Sequence, residues 1–260
     1  MSKVIERERC PSCATAGRDT SADNLAVYDD GHKYCFACEY YENGDKETET
    51  IKTNNLKFLN GNINAISERR INEKTARMYS YATLEKDGRR VDIASYYRDG
   101  QIVAQKLRGP NKAFQWRGES TNIPLYGQHL WANTKGKRVV ITEGEIDCLT
   151  VSQLLENKWP VVSLPNGAAG AAKSIKDNLE FLNSYEEIIL MFDQDDAGQE
   201  AVKKVAEILP PGKCKVATLP YKDPNECLLH NNGKSVIQAM WQAQQYSPDE
   251  ILHVASVIGD

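Results

Sequence analysis

The sequence predicts an α/β protein with a mostly parallel sheet, preceded by a small cysteine-rich module. After Lys137, short apolar runs of strand type alternate regularly with helical stretches. This alternation is typical of crossover units, which build a parallel sheet covered on both faces. Separately, four cysteines in two pairs fall within the first forty residues. A chain of 260 residues is long enough for one large core and one satellite module.

The cysteine pairs have the spacing of metal knuckles, with two residues between the members of each pair. Between the pairs, Leu25 to Tyr28 and the turn at 29–31 predict a β-hairpin. Four thiolates can surround one zinc ion, which supplies folding energy that so small a core lacks. His32 is an alternative ligand, although four cysteines already complete a tetrahedral set. We therefore predict a zinc ribbon over residues 1–42, with one structural zinc ion held by Cys10, Cys13, Cys35 and Cys38.

Because the metal only stabilises the ribbon, any function of this module must come from the side chains that it displays. Polar side chains on or beside the hairpin are suited to hydrogen-bond the exposed base edges of a single strand; they are Arg9, Asp30, His32 and Lys33. The other three cysteines are scattered along the chain, so we predict ordinary buried thiols and no disulfides; they are Cys148, Cys214 and Cys227.

A polar, charged and aperiodic stretch over residues 43–60 predicts a flexible linker. Residues 61–136 are predicted to form a first subdomain, with a helix from Glu73 to Tyr81 entered through Asn72 as N-cap. A hairpin of two strands follows, over Val91 to Tyr97 and Ile102 to Lys106. Between residues 105 and 117 the sequence is basic and contains no acid; its cations are Lys106, Arg108, Lys112 and Arg117.

Residues 137–245 are predicted to contain the parallel sheet and a following helix, and residues 246–260 a tail. The predicted strands are Val139 to Thr142, Val161 to Leu164, Ile188 to Phe192 and Val216 to Leu219. The predicted helices are Ile146 to Leu155, Ala171 to Leu182 and Gln199 to Leu209. The triplet at 233–235 resembles the end of a phosphate-binding loop, but no strand directly precedes it, so we predict a helix start with Ser235 in its first turn.

Acidic clusters follow two of these strands. The first strand runs into Glu143, and Asp147 follows four residues later; the third strand runs into Asp193, and alternation places Asp195 on the same side. Such strand ends face the crevice in which open α/β sheets bind ligands. Crowded carboxylates require a cation, and hard oxygen ligands select magnesium or manganese. The alternative is a solvated acidic loop with a helix N-cap at Asp196, but two such clusters together favour a metal site.

Charge and hydropathy exclude some classes of protein. A net charge of −4 argues against a generally basic nucleic-acid binder. The longest apolar runs are too short to span a bilayer, and the N-terminus carries charges where a signal peptide needs apolar residues. The sequence therefore predicts a cytoplasmic protein with no membrane partner.

The two acidic segments, TEGEID and MFDQDDAG, resemble in this order the two halves of a toprim domain. That metal-binding fold is shared by bacterial-type primases, topoisomerases and some nucleases. With the cysteine ribbon ahead of it, most of the chain resembles the primase half of the bifunctional primase-helicases of T-seven-like phages. The similarity includes SYYRDGQIVAQKLRG, LYGQHLW, PVVSL and LPYKDPNECLL. It implies a zinc ribbon tethered to a toprim-type RNA polymerase domain.

The resemblance also implies roles for individual residues. It makes Glu143 the catalytic glutamate with Asp147 beside it, and it makes Glu143, Asp193, Asp195 and Asp223 ligands of magnesium. It makes Lys106 and Lys112 the lysines that hold nucleotides and primer phosphates, with Arg108 as a further nucleotide contact. For either lysine, a solvated charge on a hairpin is the alternative. In the ribbon it assigns recognition of a short template trinucleotide to Asp30 and His32.

This chain departs modestly from the family pattern. Gln194 and Asp196 stand where the phage pattern has a methionine and a glutamate, and residues 109–110 are Gly-Pro where charged residues are common. These departures concern contacts to the nucleotide. They leave the acidic residues of the reaction in place.

The activity implied is that of a DNA primase, which makes short RNA primers on a single-stranded DNA template from ribonucleoside triphosphates. Its expected cofactors are one structural zinc ion and one or two magnesium or manganese ions. A replicative helicase, covalently linked or separate, and a DNA polymerase are the expected protein partners, in the cytoplasm of an infected bacterial host. The tail from Ser247 resembles the start of a linker that leads to a helicase, and no helicase motif is present.

Two other functions compete with priming. Recombination mediators combine a cysteine zinc motif with a toprim fold and bind DNA without catalysis, but they lack the lysine-bearing hairpin and carry a helix-hairpin-helix element that this sequence does not show. A type I topoisomerase needs a nucleophilic tyrosine on a further large domain, for which this chain is too short.

Overall fold

The computed structural model describes residues 3–15, 23–29, 32–38, 40–42, 58–86, 88–109, 114–119, 121–134 and 136–247. The chain divides into two compact units, Met1–Asn55 and Leu56–Asp260, which we describe separately. Most of the predicted linker and tail lies outside the described residues. The same holds for Asp30 and Lys112.

The first unit is a four-stranded antiparallel sheet with the strands in chain order. Its elements are β1 (Val4–Glu8), α1 (Pro11–Thr15), β2 (Leu25–Tyr28), β3 (Lys33–Cys35) and β4 (Tyr41–Glu42). Strands β2 and β3 form the predicted hairpin, in which Leu25 pairs with Cys35. Its small core contains four buried residues, Cys10, Cys13, Leu25 and Cys35. So small an apolar core fits a module that depends on a metal ion for stability.

The second unit begins with helix α2 and a four-stranded antiparallel sheet, again with the strands in chain order. These elements are α2 (Glu73–Met78), β5 (Tyr81–Lys86), β6 (Arg89–Arg98), β7 (Gln101–Arg108) and β8 (Phe114–Gly118). The predicted hairpin is confirmed as β6 and β7. The N-cap at Asn72 is also confirmed, because its side chain accepts a hydrogen bond from the backbone N–H of Thr75. The helix is shorter than predicted, since Ser80 adopts a positive φ of 52° and Tyr81 already starts a strand.

The rest of the second unit alternates strands and helices around a five-stranded sheet of order β10-β9-β11-β12-β13. The elements are β9 (Gly136–Thr142), α3 (Glu145–Leu154), β10 (Val161–Ser163), α4 (Ala171–Asp177), α5 (Leu179–Asn183), β11 (Tyr185–Met191), α6 (Asp196–Ala206), β12 (Cys214–Val216), α7 (Pro224–Leu229), α8 (Gly233–Trp241) and β13 (Gln244–Gln245). Strands β9 to β12 are parallel, and β13 is antiparallel to β12. The predicted mostly parallel sheet is therefore confirmed.

Three local predictions have different outcomes. The helix expected from Ala171 to Leu182 is interrupted at Asn178, whose side-chain amide donates to the carbonyls of Ile123 and Ser174. The strand expected at Val216 to Leu219 lies earlier, as β12. The helix start in the glycine-lysine-serine triplet is confirmed, because α8 begins there and the Ser235 hydroxyl donates to the carbonyl of Asn232.

The parallel strands are buried on both faces, which explains their uninterrupted apolar runs. Val140 and Ile189 belong to one apolar layer, and their neighbours Val139 and Ile188 belong to the other. Successive residues of a strand point to opposite faces, so each strand contributes side chains to both apolar layers. Among the described residues, none of the helices has the length and apolar character needed to cross a membrane.

Gly198 allows α6 to begin directly against the backbone of the preceding loop. A Cβ at this position would lie 2.1 Å from the carbonyl oxygen of Asp193. Gly198→Ala is therefore expected to lower the free energy of unfolding by about 1–3 kcal/mol, the range for overpacking. The four tryptophans all lie in the second unit, so urea unfolding followed by tryptophan fluorescence measures this change.

The matched control for this prediction is Gln199→Ala, one residue further along the same helix and exposed. It is expected to change stability by less than about 0.5 kcal/mol. Equal stability of the two variants would show that α6 does not need a glycine at its start.

Candidate functional site

The four predicted cysteines come together in the first unit. The sulfur atoms of Cys10 and Cys38 lie 3.6 Å apart and those of Cys13 and Cys35 lie 3.7 Å apart. All four ligand atoms lie within 4.8 Å of one another. Zinc bound at about 2.3 Å to each thiolate of a tetrahedron separates the sulfurs by about 3.8 Å. The cluster thus has the dimensions of a site for one tetrahedral metal ion.

The local fold explains how distant cysteines reach one point. One pair surrounds the start of α1, and the other begins at Cys35, the last residue of β3. A hydrogen bond from the backbone N–H of Tyr40 lowers the pKa of Cys38 to about 6, whereas a hydrogen bond to Cys38 and burial raise the pKa of Cys13 to about 12. Cys38 is therefore the first thiolate of the cluster, and a bound metal ion would favour the thiolate form of the others. The group contains cysteines alone, so within the described part of the chain His32 is not among its ligands.

The ribbon residues proposed for template recognition are only partly described. The ring of His32 stacks on Tyr28 with a centroid distance of 4.1 Å. The ammonium of Lys33 lies 2.7 Å from a carboxylate oxygen of Glu8. Asp30 falls outside the described residues. The stacked imidazole therefore has a fixed orientation on the hairpin.

In the second unit, Glu143 lies at the carboxyl end of β9. Its Oε1 accepts a hydrogen bond from the backbone N–H of Ala168 at 3.1 Å. Its Oε2 is buried and has no hydrogen-bond partner among the described residues. A buried carboxylate oxygen without a partner is costly, so this atom is suited to receive a ligand such as a cation.

Asp147 lies in the first turn of α3, four residues after Glu143 in the chain. One of its oxygens accepts a hydrogen bond from the backbone N–H of Asn225. Burial raises the pKa of Asp147 well above its ordinary value, and the nearby charges of Asp223, Asp193 and Glu143 raise it further. Four carboxylates from three segments of the chain thus lie close to this position.

The loop after β11 contributes two further acids. Burial, followed by the charges of Glu143 and Asp223, raises the pKa of Asp193 to about 6. Asp195 is the N-cap of α6 and accepts a hydrogen bond from the backbone N–H of Gly198, which lowers its pKa. The helix N-cap is therefore Asp195 and not Asp196, which is the first residue of α6.

Asp223 caps a helix of its own and faces the same edge of the sheet. Its side chain accepts a hydrogen bond from the backbone N–H of Glu226 at the start of α7. The preceding residue, Lys222, places its ammonium 2.9 Å from Asp195 and 3.5 Å from Asp193. This contact shows that Asp193 and Asp195 point to the same side, as the alternation of an extended chain predicts.

These acids fit a hydrated divalent cation. Glu143 has a buried oxygen without a partner among the described residues, and the pKa values of Asp147 and Asp193 are raised first by burial and then by neighbouring carboxylates. A cation would offset both the burial of charge and the repulsion. No three of these acids bring oxygen atoms within 4.8 Å of one another. Among the described residues, only the four cysteines form so tight a group. Magnesium commonly keeps several waters and uses one or two carboxylates, which a looser set accommodates.

The basic residues lie on the antiparallel sheet. Lys106, on β7, has its ammonium 2.8 Å from Glu145 and 2.9 Å from the carbonyl of Pro165, and its side chain is 11% exposed. Arg108, on the same strand, lines a cavity of about 270 Å³. The other residues that line it are Glu68, Arg69, Arg90, Asp92, Gly109 and Ile146. Lys112 is outside the described residues.

Sequence reasoning did not assign several residues that the fold brings to this region. Asn225 is 2% exposed and joins distant segments: its amide donates to the carbonyl of Arg69 and to the hydroxyl of Thr150, and its oxygen accepts from Arg69. Arg69 and Asn225 are 156 residues apart in the chain. A local pattern does not reveal such pairs. Lys222, which reaches Asp193 and Asp195, is the exception, because it stands directly before Asp223 in the sequence.

The alternating sheet and its acidic edge define a protein of the toprim class. Residues 140–228 match the family described as Toprim-like, and residues 61–118 match the N-terminal a+b fold of the bacteriophage T7 DNA helicase/primase. The chain belongs to the family of the primase fragment of the bacteriophage T7 primase-helicase protein. That fragment is 35% identical in a solved structure that covers 92% of this chain and 100% of the fragment, with a TM-score of 0.69.

Two further relatives support this placement. The DNA helicase/primase of Enterobacteria phage T3 is 37% identical over 264 residues, which are 95% of this chain and 45% of that protein. This chain thus spans about half the length of that relative. In a structure of the bacteriophage T7 lagging-strand DNA polymerase interacting with primase domains, a matched chain is 41% identical over 72% of this chain and 94% of its own length, with a TM-score of 0.68.

Proposed function

We propose that this chain is a DNA primase that makes short RNA primers on single-stranded DNA. The observation that carries the proposal is the meeting of Glu143, Asp147, Asp193 and Asp223 at one edge of the toprim sheet. Lys106, on strand β7 of the neighbouring antiparallel sheet, forms an ion pair with Glu145 at the start of α3, the helix that also contains Asp147. Family membership over 92% of the chain supports the same reaction.

In the proposed reaction, the 3′-hydroxyl of one nucleotide attacks the α-phosphorus of the next ribonucleoside triphosphate. A new phosphorus–oxygen bond forms, the bond to pyrophosphate breaks, and the hydroxyl proton is released. When bound, one or two magnesium or manganese ions polarise the triphosphate and lower the pKa of the attacking hydroxyl. We assign their binding to Glu143, Asp193, Asp195 and Asp223.

The remaining residues bind and orient the reactants. Asp147 holds its place beside Glu143 through the backbone of Asn225. Lys106, Lys112 and Arg108 are assigned to phosphates of the incoming nucleotide and of the nascent primer, since cations stabilise the charge of the transferring group. In this assignment, residues of the antiparallel sheet bind the substrate, and the carboxylates at the edge of the toprim sheet hold the ions that promote the reaction.

The ribbon is proposed to select the template. One structural zinc ion, held by Cys10, Cys13, Cys35 and Cys38, would fix the hairpin that presents Asp30 and His32 to the bases. An aromatic or imidazole ring stacks well on an unpaired base, and polar groups beside it read base edges. Sequence selection and chemistry would then belong to separate units of the chain.

Protein partners are proposed from the relatives. The phage T3 relative is a helicase/primase, and the T7 primase domains interact with a lagging-strand DNA polymerase while bound to an RNA/DNA hybrid and dTTP. We propose that this chain likewise acts with a helicase and a DNA polymerase in the cytoplasm of an infected bacterium. The match of residues 61–118 to the helicase/primase subdomain favours this role over that of a recombination mediator.

The proposal is tested with a random-sequence pool of single-stranded DNA, magnesium and labelled ribonucleotides. Short oligoribonucleotides are expected only when template and divalent ion are both present. Reactions without template and reactions with a chelator are the controls. The absence of any oligoribonucleotide from the complete reaction would refute the primase assignment.

A prediction on metal binding follows from Lys222, whose ammonium contacts both Asp193 and Asp195. A divalent ion at these carboxylates must compete with this cation. Because the lysine side chain is 48% exposed, its ion pairs are screened, and Lys222→Met is expected to tighten manganese binding only about two- to fivefold. Manganese titration followed by electron paramagnetic resonance measures the change.

The matched control for Lys222 is Lys204→Met, which removes a lysine that pairs with Glu200 on the exposed face of α6. It is expected to leave the manganese affinity unchanged. Weaker binding in Lys222→Met than in the control would mean that the lysine supports the ion instead of competing with it.

A further inference from the structure

We propose that Glu145 is a positioning residue for Lys106 and not a member of the metal-binding carboxylates, and that Tyr96 completes this arrangement. The inference rests on the proposed function, in which Lys106 holds nucleotide phosphates. In the sequence, Glu145 stands midway between Glu143 and Asp147 and looks like part of one acidic cluster. The structure separates it from them.

The separation follows from helix geometry. Glu145 is the first residue of α3, and Asp147 is two residues further on. Two residues correspond to about 200° of rotation around a helix axis, so the two side chains leave opposite faces. Asp147 turns towards the backbone of Asn225. Glu145 turns towards the antiparallel sheet.

Two donors from that sheet meet on one oxygen of Glu145. The hydroxyl of Tyr96, on β6, donates to Oε1 at 2.5 Å, and the ammonium of Lys106, on β7, donates to the same atom at 2.8 Å. The lysine also donates to the backbone carbonyl of Pro165 at 2.9 Å. The ring of Phe114 lies 4.9 Å from the ammonium. Three segments of the chain thus contact the ammonium of Lys106, and a fourth, β6, holds Glu145 through Tyr96.

Burial makes this arrangement strong. The side chains of Lys106 and Glu145 are 11% and 12% exposed, and Tyr96 is fully buried. Solvent and salt screen such a pair much less than a surface pair, and either charge alone would be costly to bury. Hydrogen bonds to charged partners are also the stronger kind. The lysine is therefore held in one orientation.

The arrangement leaves Lys106 able to bind a phosphate. An ammonium group has three N–H donors, and Glu145 and Pro165 accept two of them. Among the residues that the structure describes, no acceptor takes the third N–H, which leaves it for a ligand. Because Glu145 and Asp147 begin the same helix, the anchor fixes the lysine at a set distance from the carboxylates, which is what transfer between bound nucleotides requires.

The first test measures the chemical reactivity of each lysine with a limiting amount of an acylating reagent, quantified by mass spectrometry of the peptides. In Glu145→Gln, Lys106 is expected to react about tenfold faster, because it loses its charged partner. Lys173, which is 66% exposed on α4, is the internal reference and should not change. Unchanged protection of Lys106 would overturn the proposal.

Tyr96→Phe is the second variant, for the case that Glu145→Gln fails to fold. It keeps the ring and the ion pair and removes only the hydroxyl donor. An increase of about twofold in the reactivity of Lys106 is expected. A reactivity equal to that of the unaltered protein would count against the role of Tyr96 and, with it, against the three-residue arrangement.

The second test separates positioning from metal binding. Manganese affinity is expected to stay within about threefold in Glu145→Gln, whereas Glu143→Gln should weaken it by about tenfold or more. Equal weakening in both variants would place Glu145 among the metal ligands and refute the proposal. In primer synthesis, Glu145→Gln should mainly raise the KM for ribonucleotides.

Neither lysine reactivity nor manganese affinity depends on primer synthesis. If the protein made no primers while Lys106 behaved as expected, the proposed function would fail and the positioning role of Glu145 would stand. If primers were made but Lys106 kept its protection in both variants, the positioning role alone would fail.

Discussion

Glu143→Gln is expected to abolish primer synthesis, with a loss of at least about a hundredfold in rate. The charge of this side chain is needed to hold a divalent ion, and the loss of about 3 kcal/mol of transition-state stabilisation corresponds to that factor. The structure indicates that the substitution removes the charge of Glu143 and keeps its hydrogen bond. The Oε1 of Glu143 accepts from the backbone of Ala168, a bond that a glutamine oxygen can also accept, and the charge on the unpartnered Oε2 is removed.

The fold should survive this change. Burial is the main cause of the raised pKa values of Asp147 and Asp193, and the charge of Glu143 adds to it; removing that charge relieves part of the repulsion, so the free energy of unfolding should not fall. Primer synthesis on labelled ribonucleotides and tryptophan-monitored urea unfolding measure the two effects. Glu186→Gln, an exposed change of the same kind at the far end of β11, is the control for activity and stability. Retained synthesis in Glu143→Gln would remove Glu143 from the proposed mechanism.

Cys38→Ser is expected to release zinc and to abolish template-directed synthesis, while some untemplated joining of nucleotides remains. Loss of one thiolate opens the tetrahedral site, and structural zinc contributes about 10–16 kcal/mol of apparent binding free energy to folding of such modules. The ribbon has only a small core of its own. The carboxylates to which we assign the chemistry lie in the other compact unit, which has separate apolar layers.

Three measurements test this prediction: zinc content after gel filtration, primer synthesis with and without template, and unfolding. Because the four tryptophans lie in the second unit, the tryptophan-monitored transition should be unchanged. Cys214→Ser replaces a buried cysteine of the second unit and should keep zinc and templated synthesis. Equal loss of templated and untemplated products in Cys38→Ser would mean that the ribbon serves only stability.

Short-range patterns predicted much of this protein correctly. The two-residue gap within each cysteine pair is enough to indicate a metal knuckle, and the sulfur separations of 3.6 and 3.7 Å agree with it. The acids at the ends of β9 and β11 were expected at one edge of the sheet. Their mutual effects on the pKa values of Asp147 and Asp193 agree with that expectation. In both cases the pattern that carries the prediction lies within a few residues, either the gap within a cysteine pair or an acid directly after an apolar strand.

The prediction of secondary structure was less accurate where a single side chain interrupts an apolar pattern. The apolar periodicity from Ala171 to Leu182 is continuous, yet the buried amide of Asn178 breaks the helix by bonding to Ile123, 55 residues away. The residues after Met78 likewise leave the helix for a strand that the neighbouring sheet stabilises. Tertiary hydrogen bonds outweighed the local preference at these points.

By itself, the sequence determined the fold class, the grouping of the four N-terminal cysteines and the presence of acids at two strand ends, since each depends on spacing within a strand, a turn or a knuckle. Only the tertiary structure decided the separate contacts of neighbouring acids. Glu145 and Asp147 are two residues apart, but one binds Lys106 and the other meets Asn225, which is 78 residues away from it. The physical reason is that a helix sends them to opposite faces, and distant segments of the chain supply what each face meets.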